Sequence, residues 1–461
     1  VRKDKFSVEE NTLDDPTTFT TKNDAMTTIP ALYSIYQEHP VVSTDSRQLP
    51  SGCLFFALKG ANFDGNKFAA QALENGAAYA VIDNPEYQTN KRCLLVPDVL
   101  KALQDLANYH RHQFDIPVIA IGGSNGKTTT KELVSSVLSA HHPCHFTKGN
   151  FNNHIGVPLT LLSMPIGTEV AILEMGTNQP GDIEELCRIA QPTHGLLTNI
   201  GKEHLEGFGS LEGVKKAEGE LFDYLSRNHG CAFVNLSELY LEDMSDKVPM
   251  RVGYARVEAF HTMPGIIEVQ MLADMPFVQA AFLSDEGPKV EVTTQLFGAH
   301  NFQNVMTAIA LGIYFKVPAD KIKAALEGYA PRNNRSQLIQ QDGATILLDA
   351  YNANPSSMRP ALQSLSAMPA TRHIAILGDM LELGDDSQME HEDLLRYAAE
   401  LKIDQLILVG KEFEKTPYSN FGALHFADNL AAKAWYQAQD LQDAAILIKG
   451  SRGIRLEVVI G

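Results

Sequence analysis

Short apolar runs bounded by turn residues recur along this chain, and they fall into three textures. Between about residues 31 and 113, residues 53–58 (CLFFAL) and 79–82 (YAVI) read as strands. Residues 68–74 between them read as a helix. That alternation predicts a small α/β domain over 26–113. Over 114–330 a second α/β unit is expected. Residues 116–121 (IPVIAI) form a buried-strand run, and 128–140 carries Leu133, Val134, Val137 and Leu138 at helical spacing. Residues 170–173 and 195–197 are further strand candidates. Within about 230–297, runs such as 266–271 and 290–295 predict strands without intervening helices, and hence an antiparallel patch. Residues 301–315 return to helix. Over 331–461 the short apolar runs 346–348, 374–377, 406–409 and 446–448 alternate with helical stretches. This predicts a doubly wound, mostly parallel sheet. Ligands of such sheets gather at the carboxyl ends of the strands, where Asp349, Asp379 and Lys449 fall.

Length and composition agree with several cores. The chain has 461 residues, 44% of them hydrophobic and 20% charged, so about three soluble domains are expected. A formal charge of −18 disfavours general binding to nucleic acid or to anionic membranes. Cys53, Cys93, Cys144, Cys187 and Cys231 are scattered and form no C-x-x-C pair, which fits a reducing compartment rather than a disulfide framework or zinc site. No apolar run reaches the ~18 residues of a membrane span, and no secretory signal is visible. A cytoplasmic protein is therefore expected, and a monomer is the expected state. Residues 1–25 are polar, lack any period and read as a disordered leader, with Met26 a candidate native start.

The strongest chemical signal is GSNGKTT at 123–129, directly after a strand and opening a helix. Glycines at 122, 123 and 126 let the backbone curl so that several N–H groups converge on one anion, and the helix adds its positive end. Lys127 would reach the β- and γ-phosphates, and the Thr128 hydroxyl would serve Mg²⁺. The spacing is shorter than the common phosphate loop: three residues, not four, separate Gly122 from Gly126. Glu174 ends a strand and suits either a Mg²⁺ site or an exposed strand tip. His204, after another strand, suits a metal or phosphate contact or a structural role. The strings 150–158 (NFNNHIGVP) and 349–355 (DAYNANP) read, taken alone, as polar turns.

Together these segments resemble the Mur ligase family of ATP-dependent amide-bond-forming enzymes. The shortened loop Gly-x-x-Gly-Lys-Thr is that family's form and matches residues 123–128. The strings TDSR (44–47), LFFALKG (54–60), GNFNNHIGVPLTLL (149–162), LEMGTN (173–178), HLEGFGS (204–210), GAHNFQN (298–304), DAYNANPSSM (349–358), LGDMLELG (377–384) and KGSR (449–452) follow in order over roughly 30–461. They resemble most the members that add D-alanyl-D-alanine to UDP-N-acetylmuramoyl-tripeptide. The DAYNANP and LGDMLELG strings favour that reading over the diaminopimelate- or lysine-adding members and folylpolyglutamate synthase.

The resemblance implies three domains: a UDP-sugar-peptide binder, a central P-loop ATPase-type domain, and a Rossmann-like ligase domain. It implies ATP as co-substrate with two Mg²⁺ ions, and an acyl-phosphate intermediate. It assigns Thr44, Asp45, Ser46, Arg47, Asn62, Phe63, Asp64 and Gly65 to the UDP-substrate, with Asn150 and Asn153 also on the substrate side. Gly123, Ser124, Asn125, Gly126, Lys127, Thr128 and Thr129 would cradle phosphate. Asn301 and Asn304 would approach the adenine side, Arg335 and Asp349 would contact ATP, and Tyr351, Asn352 and Asn354 would line the substrate. Lys127, Glu174, His204 and Glu218 are the expected catalytic groups, with Thr128, Glu174 and His204 on metal. One position departs. Where the family carries Ala-Lys-Gly-Glu, with a lysine modified to a carbamate, this chain has AEGE at 217–220, placing Glu218 in the lysine's position. A native carboxylate supplies the negative charge directly, on a shorter stem, and Lys216 falls on another helix face. A non-catalytic nucleotide-binding switch is the reading from a different class.

Overall fold

A computed structural model describes residues 26–284, 287–332, 334–401 and 403–461; the expected leader lies outside the described residues. The chain divides into two compact units, one ending at Ala102 and one running from Leu103 to Gly461.

The first unit holds a parallel sheet of four strands in the order Val42–Ser43, Leu54–Phe56, Tyr79–Ile82, Cys93–Leu95. Helix Ala69–Glu74 covers it through Ala69, Ala72 and Leu73, which pack with Phe55, Ala80 and Ile82. A two-stranded ribbon pairs Lys59–Gly60 with Phe63–Asp64.

The second unit contains two sheets. Across the larger one run Lys289–Thr293, Gln279–Leu283, Ile266–Ala273, Met250–Val257, Cys231–Asn235, His194–Leu197, Val118–Gly122, Val170–Glu174 and Cys144–Phe146. Val118–Gly122 is buried at all five positions because it lies between parallel neighbours with both faces covered. Helix Lys127–Ser139 packs Leu133, Val134, Val137 and Leu138 against helix His300–Tyr314 over one face. The antiparallel patch is smaller than expected. Among the described residues, antiparallel pairing in this sheet joins only Ile266–Ala273 to Gln279–Leu283 and Gln279–Leu283 to Lys289–Thr293; Met250–Val257 pairs parallel with both Cys231–Asn235 and Ile266–Ala273. The expectation of no intervening helix is also corrected, since helix Leu239–Ser245 provides a parallel crossover. That helix is seven residues long and buries only Leu241 and Ser245, too few positions to show a helical period.

The smaller sheet runs Gln337–Gln341, Ala344–Asp349, Ala444–Lys449, Arg372–Gly378, Gln405–Val409 and Leu424–Phe426, parallel except at its first edge. Side chains alternate across a strand, and here the alternation separates two cores. Leu347, Ala375, Leu377, Leu408, Ala445 and Leu447 face one layer. Ile346, Leu348, Ile374, Ile376, Ile407 and Ile446 face the other. The doubly wound architecture follows from that split. Among the described residues no helix is long and apolar enough to cross a membrane.

Candidate active site

Three neighbouring strands of the larger sheet deliver the site at their carboxyl ends. Val118–Gly122 lies between His194–Leu197 and Val170–Glu174, with Gly122 paired to Leu197 and Ile121 to Glu174. The chain leaves Gly122 through Gly123 (φ 108°) and Gly126 (φ 83°), left-handed conformations that glycine adopts without penalty. Close packing reinforces the need: a Cβ on Gly126 would lie 2.6 Å from Asn304 Oδ1. The loop is held from outside. Ser124 N–H donates to the Asn199 carbonyl (2.8 Å) and Asn125 N–H to Asn199 Oδ1 (3.0 Å). Asn199 Nδ2 returns a bond to the Asn125 carbonyl (2.9 Å), and Gly201 N–H donates to Ser124 Oγ (2.8 Å).

Around this loop the charges are concentrated and buried. Lys127 Nζ donates to the carbonyls of Gly123 and Ser124 and lies 3.7 Å from Glu203 Oε2 and 4.0 Å from Glu218 Oε1. Glu218 is wholly buried, and its Oε2 accepts the Gly123 N–H at 2.7 Å. Burial pushes the Glu218 carboxyl up from its ordinary value, and Lys127 pulls against that shift. Burial disfavours the Lys127 ammonium, but Glu203, Glu218 and Glu174 outweigh it and hold its pKa above the ordinary value. Thr128 Oγ1 donates to Glu174 Oε1 (3.0 Å), and Asn152 Nδ2 donates to the same oxygen (2.8 Å). Lys131 Nζ stands 3.7 Å from Glu174 Oε2.

The smaller sheet contributes the opposite wall. Asp349 and Lys449, register partners at two strand ends, form an ion pair at 2.6 Å. Burial raises the Asp349 carboxyl, yet Lys449 and a hydrogen bond from Ser336 N–H outweigh it and leave the pKa lowered. The Arg335 guanidinium lies 3.7 Å from the centre of the Tyr351 ring, a cation–π contact. Asn354 caps helix Pro355–Ser366 and donates from Nδ2 to Asn125 Oδ1 (3.0 Å), tying this wall to the loop. Asn352 offers its carbonyl to Lys449 Nζ (3.0 Å). Asn301 Oδ1 accepts from Asn304 Nδ2, and Asn304 Oδ1 accepts from Thr130 Oγ1, both at 3.0 Å, so this pair braces the first turn after the loop.

Between the walls is a cavity of about 650 Å³. Residues 124–129 line it, as do Asn153, Glu174, His204, Asn301, Asn304, Arg335, Asp349, Tyr351, Asn352 and Asn354. Glu218 and Gly123 do not line it, and the exposed Asn150 is not among its walls. Asn152, which nothing in the sequence distinguishes from its neighbour Asn153, bonds Glu174. Glu203, equally indistinct in the sequence beside His204, faces Lys127.

Three carboxylate oxygens here, Glu174 Oε2, Glu203 Oε1 and Glu218 Oε1, are buried without a hydrogen-bond partner. Orphaned anionic oxygens beside a phosphate-type loop suit a hard divalent cation. Among the described residues no group of three His, Cys, Asp or Glu side chains is gathered to hold a metal alone. A cation bound by Glu174 and Thr128 would therefore complete its shell with phosphate oxygens and water, the usual habit of Mg²⁺.

The families described as Mur ligase family, catalytic domain; Mur ligase middle domain; and Mur ligase, glutamate ligase domain match residues 40–111, 121–312 and 334–452. The UDP-N-acetylmuramoyl-tripeptide--D-alanyl-D-alanine ligase of Bacillus subtilis (strain 168) is 34% identical over 432 residues, covering 91% of this chain and 92% of that protein. The chain belongs to the Mur ligase family. A crystal structure of MurF from Acinetobacter baumannii matches this Mur ligase with a TM-score of 0.79 at 32% identity, covering 91% of this chain and 92% of that one. The structure of MurF ligase from Thermotoga maritima in complex with ADP matches with a TM-score of 0.78 at 26% identity, over 91% and 96%.

The residues expected on the sugar-nucleotide side lie in the first unit. Asp45 accepts from the Arg47 guanidinium through Nε and Nη2 (2.8 Å each) and from the Arg47 backbone N–H (3.0 Å), and those bonds lower its pKa to about 2. Thr44 and Ser46 flank it, half-buried. Asp64 accepts from Asn66 N–H (3.0 Å), capping the turn Gly65–Phe68. Gly65 is buried so close to the chain that a Cβ would lie 2.3 Å from the Leu58 carbonyl oxygen. Asn62 and Phe63 are exposed at the ribbon.

Proposed function

We propose that this Mur ligase joins D-alanyl-D-alanine to UDP-N-acetylmuramoyl-tripeptide at the expense of ATP, giving the UDP-muramoyl-pentapeptide. The observation that carries the reading is a single cavity shared by the glycine loop with Lys127, a buried set of acids, and the Arg335–Tyr351 and Asp349–Lys449 pairs. Relatives that span nearly the whole chain bear the same activity in their names.

The chemistry starts from a poor electrophile. A carboxylate resists attack by an amine until one oxygen is converted into a leaving group. The terminal carboxylate of the tripeptide attacks the γ-phosphorus of ATP, ADP leaves, and an acyl phosphate forms. The dipeptide amine adds to the acyl carbon, and the tetrahedral adduct collapses to amide and phosphate as the amine gives up its proton. Both steps gather anions, so catalysis here is positional and electrostatic. The curled loop presents N–H groups to the phosphates. Lys127, held against Glu203 and Glu218 within the loop, swings to the β- and γ-phosphates when nucleotide arrives. Arg335 and the Asp349–Lys449 pair hold the nucleotide from the opposite wall. Mg²⁺ would offset phosphate charge in two places, on Thr128 and Glu174 with the nucleotide, and near His204. Glu218 holds the loop through Gly123 and supplies the negative charge that the family's modified lysine carries. ATP as co-substrate and five free cysteines fit a cytoplasmic enzyme.

The test is phosphate release measured with each amino donor in turn. D-Alanyl-D-alanine should support turnover, with the pentapeptide recovered by mass spectrometry. Turnover with lysine, diaminopimelate or glutamate in its place would assign the chain to another branch of the family.

A further inference from the structure

We propose that Glu382 is a positioning residue for His204. It fixes the imidazole so that Nε2 is the nitrogen offered to the cavity, and so makes the metal site depend on the docking of the smaller sheet. The inference rests on the reading of His204 as a ligand of the ATP-dependent reaction. Glu382 lies in the loop after strand Arg372–Gly378, whereas His204 follows strand His194–Leu197 of the larger sheet.

Four observations converge on this contact. Glu382 Oε2 lies 2.5 Å from His204 Nδ1. His204 lines the cavity, and among the described residues no hydrogen bond within the protein engages its Nε2. Both residues have left-handed backbone, at φ 44° for His204 and φ 65° for Glu382. That costs a non-glycine residue roughly 1–2 kcal/mol, and such conformations persist where the surroundings hold them. The docking around the pair is specific. Glu206 N–H donates to the Glu382 carbonyl (3.3 Å). Leu205, next to His204, is buried in the core of the smaller sheet with Leu377, Met380 and Leu383. Leu205 thus acts as a peg that brings the imidazole to the carboxylate.

The chemistry follows from the two ring nitrogens. A neutral imidazole donates from one nitrogen and accepts through the other, and the partner of the first decides which is left for a metal. A carboxylate on Nδ1–H leaves the Nε2 lone pair free, the arrangement found behind metal-bound histidines. Glu382 is 58% exposed on its side chain, so the pair adds little stability. Its effect is geometric.

Long-range ¹H–¹⁵N NMR of the metal-free full chain, labelled on histidine, tests the inference at a mildly alkaline pH where imidazoles are neutral. The His204 signals are those lost in His204→Gln. The wild type should show the Nδ1–H tautomer, Glu382→Ala should shift His204 toward Nε2–H, and Glu382→Gln, which keeps an acceptor oxygen, should restore Nδ1–H. In parallel, half-saturating Mg²⁺ for ATP-dependent phosphate release should rise about tenfold or more in Glu382→Ala. An Nε2–H tautomer in the wild type, or one unmoved by Glu382→Ala, overturns the positioning role. A shifted tautomer with unchanged Mg²⁺ dependence overturns the link to the metal site. The NMR result stands whatever amino donor the enzyme uses, so failure of this inference is distinct from failure of the proposed reaction.

Discussion

Glu218 Oε2 accepts the Gly123 N–H at 2.7 Å, joining the middle of one helix to the loop that opens another, 95 residues away in the chain. Its second oxygen has no hydrogen-bond partner and faces Lys127 at 4.0 Å. One carboxylate thus shapes the phosphate loop and charges the space beside it. Gly122 makes room for it, since a Cβ there would lie 2.9 Å from Glu218 Oε2.

Because this acid is native to the chain, turnover should not depend on bicarbonate. Rates in CO₂-depleted buffer should match those with bicarbonate added. Recovery of a lost rate on adding bicarbonate would show that a modified lysine still serves the site. Lys216, exposed on the helix surface, is poorly disposed for that. Glu218→Ala should lower kcat by about a hundredfold, because it frees the Gly123 N–H and removes charge opposite Lys127, and an unfulfilled buried donor costs roughly 1–3 kcal/mol. Near-normal turnover of Glu218→Ala would remove it from the mechanism.

Among the described residues, Lys127 is the one ammonium that approaches both Glu203 and Glu218. Lys127→Ala should reduce product formation by about a thousandfold, the scale of losing a preorganised electrostatic contact to the transferred group. Binding of the UDP-tripeptide, followed by calorimetry, should persist within a few-fold. Loss of that binding in a folded variant would contradict the assignment of the sugar nucleotide to the first unit.

The loop was legible in the sequence because its signal is local: a buried strand, glycines at left-handed positions and a helix follow one another within about twenty residues. Glu174 and Asp349 were legible as strand ends. Asn152, Glu203 and Glu382 were not, because each acquires its meaning from a partner distant in sequence. Strand direction was hidden for a similar reason. Met250–Val257 and Ile266–Ala273 look alike whether they pair parallel or antiparallel, and helix Leu239–Ser245 buries too few residues to declare itself. In the smaller sheet the alternation within each strand sorts residues to the two cores, so its doubly wound form was readable strand by strand.

Stability should fall as the solution is acidified, and His194 shows why. Its ring lies among Phe233, Tyr314 and Phe315, and burial pushes its pKa down to about 4 from 6.5. Between those values the unfolded chain binds more protons than the folded one. The stability is therefore full above about pH 6.5 and lost as pH falls toward 4, by up to ~3 kcal/mol for this group. Burial moves His110, His145, His300 and His391 in the same direction. Urea midpoints recorded against pH should decline through this window, and more shallowly in His194→Phe. A midpoint that rises on acidification, or an unchanged slope in the variant, would count against a buried neutral His194.

The central claim is that the γ-phosphoryl group passes to a carboxylate and not to water. UDP-N-acetylmuramoyl-tripeptide labelled with ¹⁸O in its terminal carboxylate reports this directly. With ATP and D-alanyl-D-alanine, each phosphate released should carry one ¹⁸O from the substrate, matched one to one by pentapeptide formed. Unlabelled phosphate released alongside product would contradict the account.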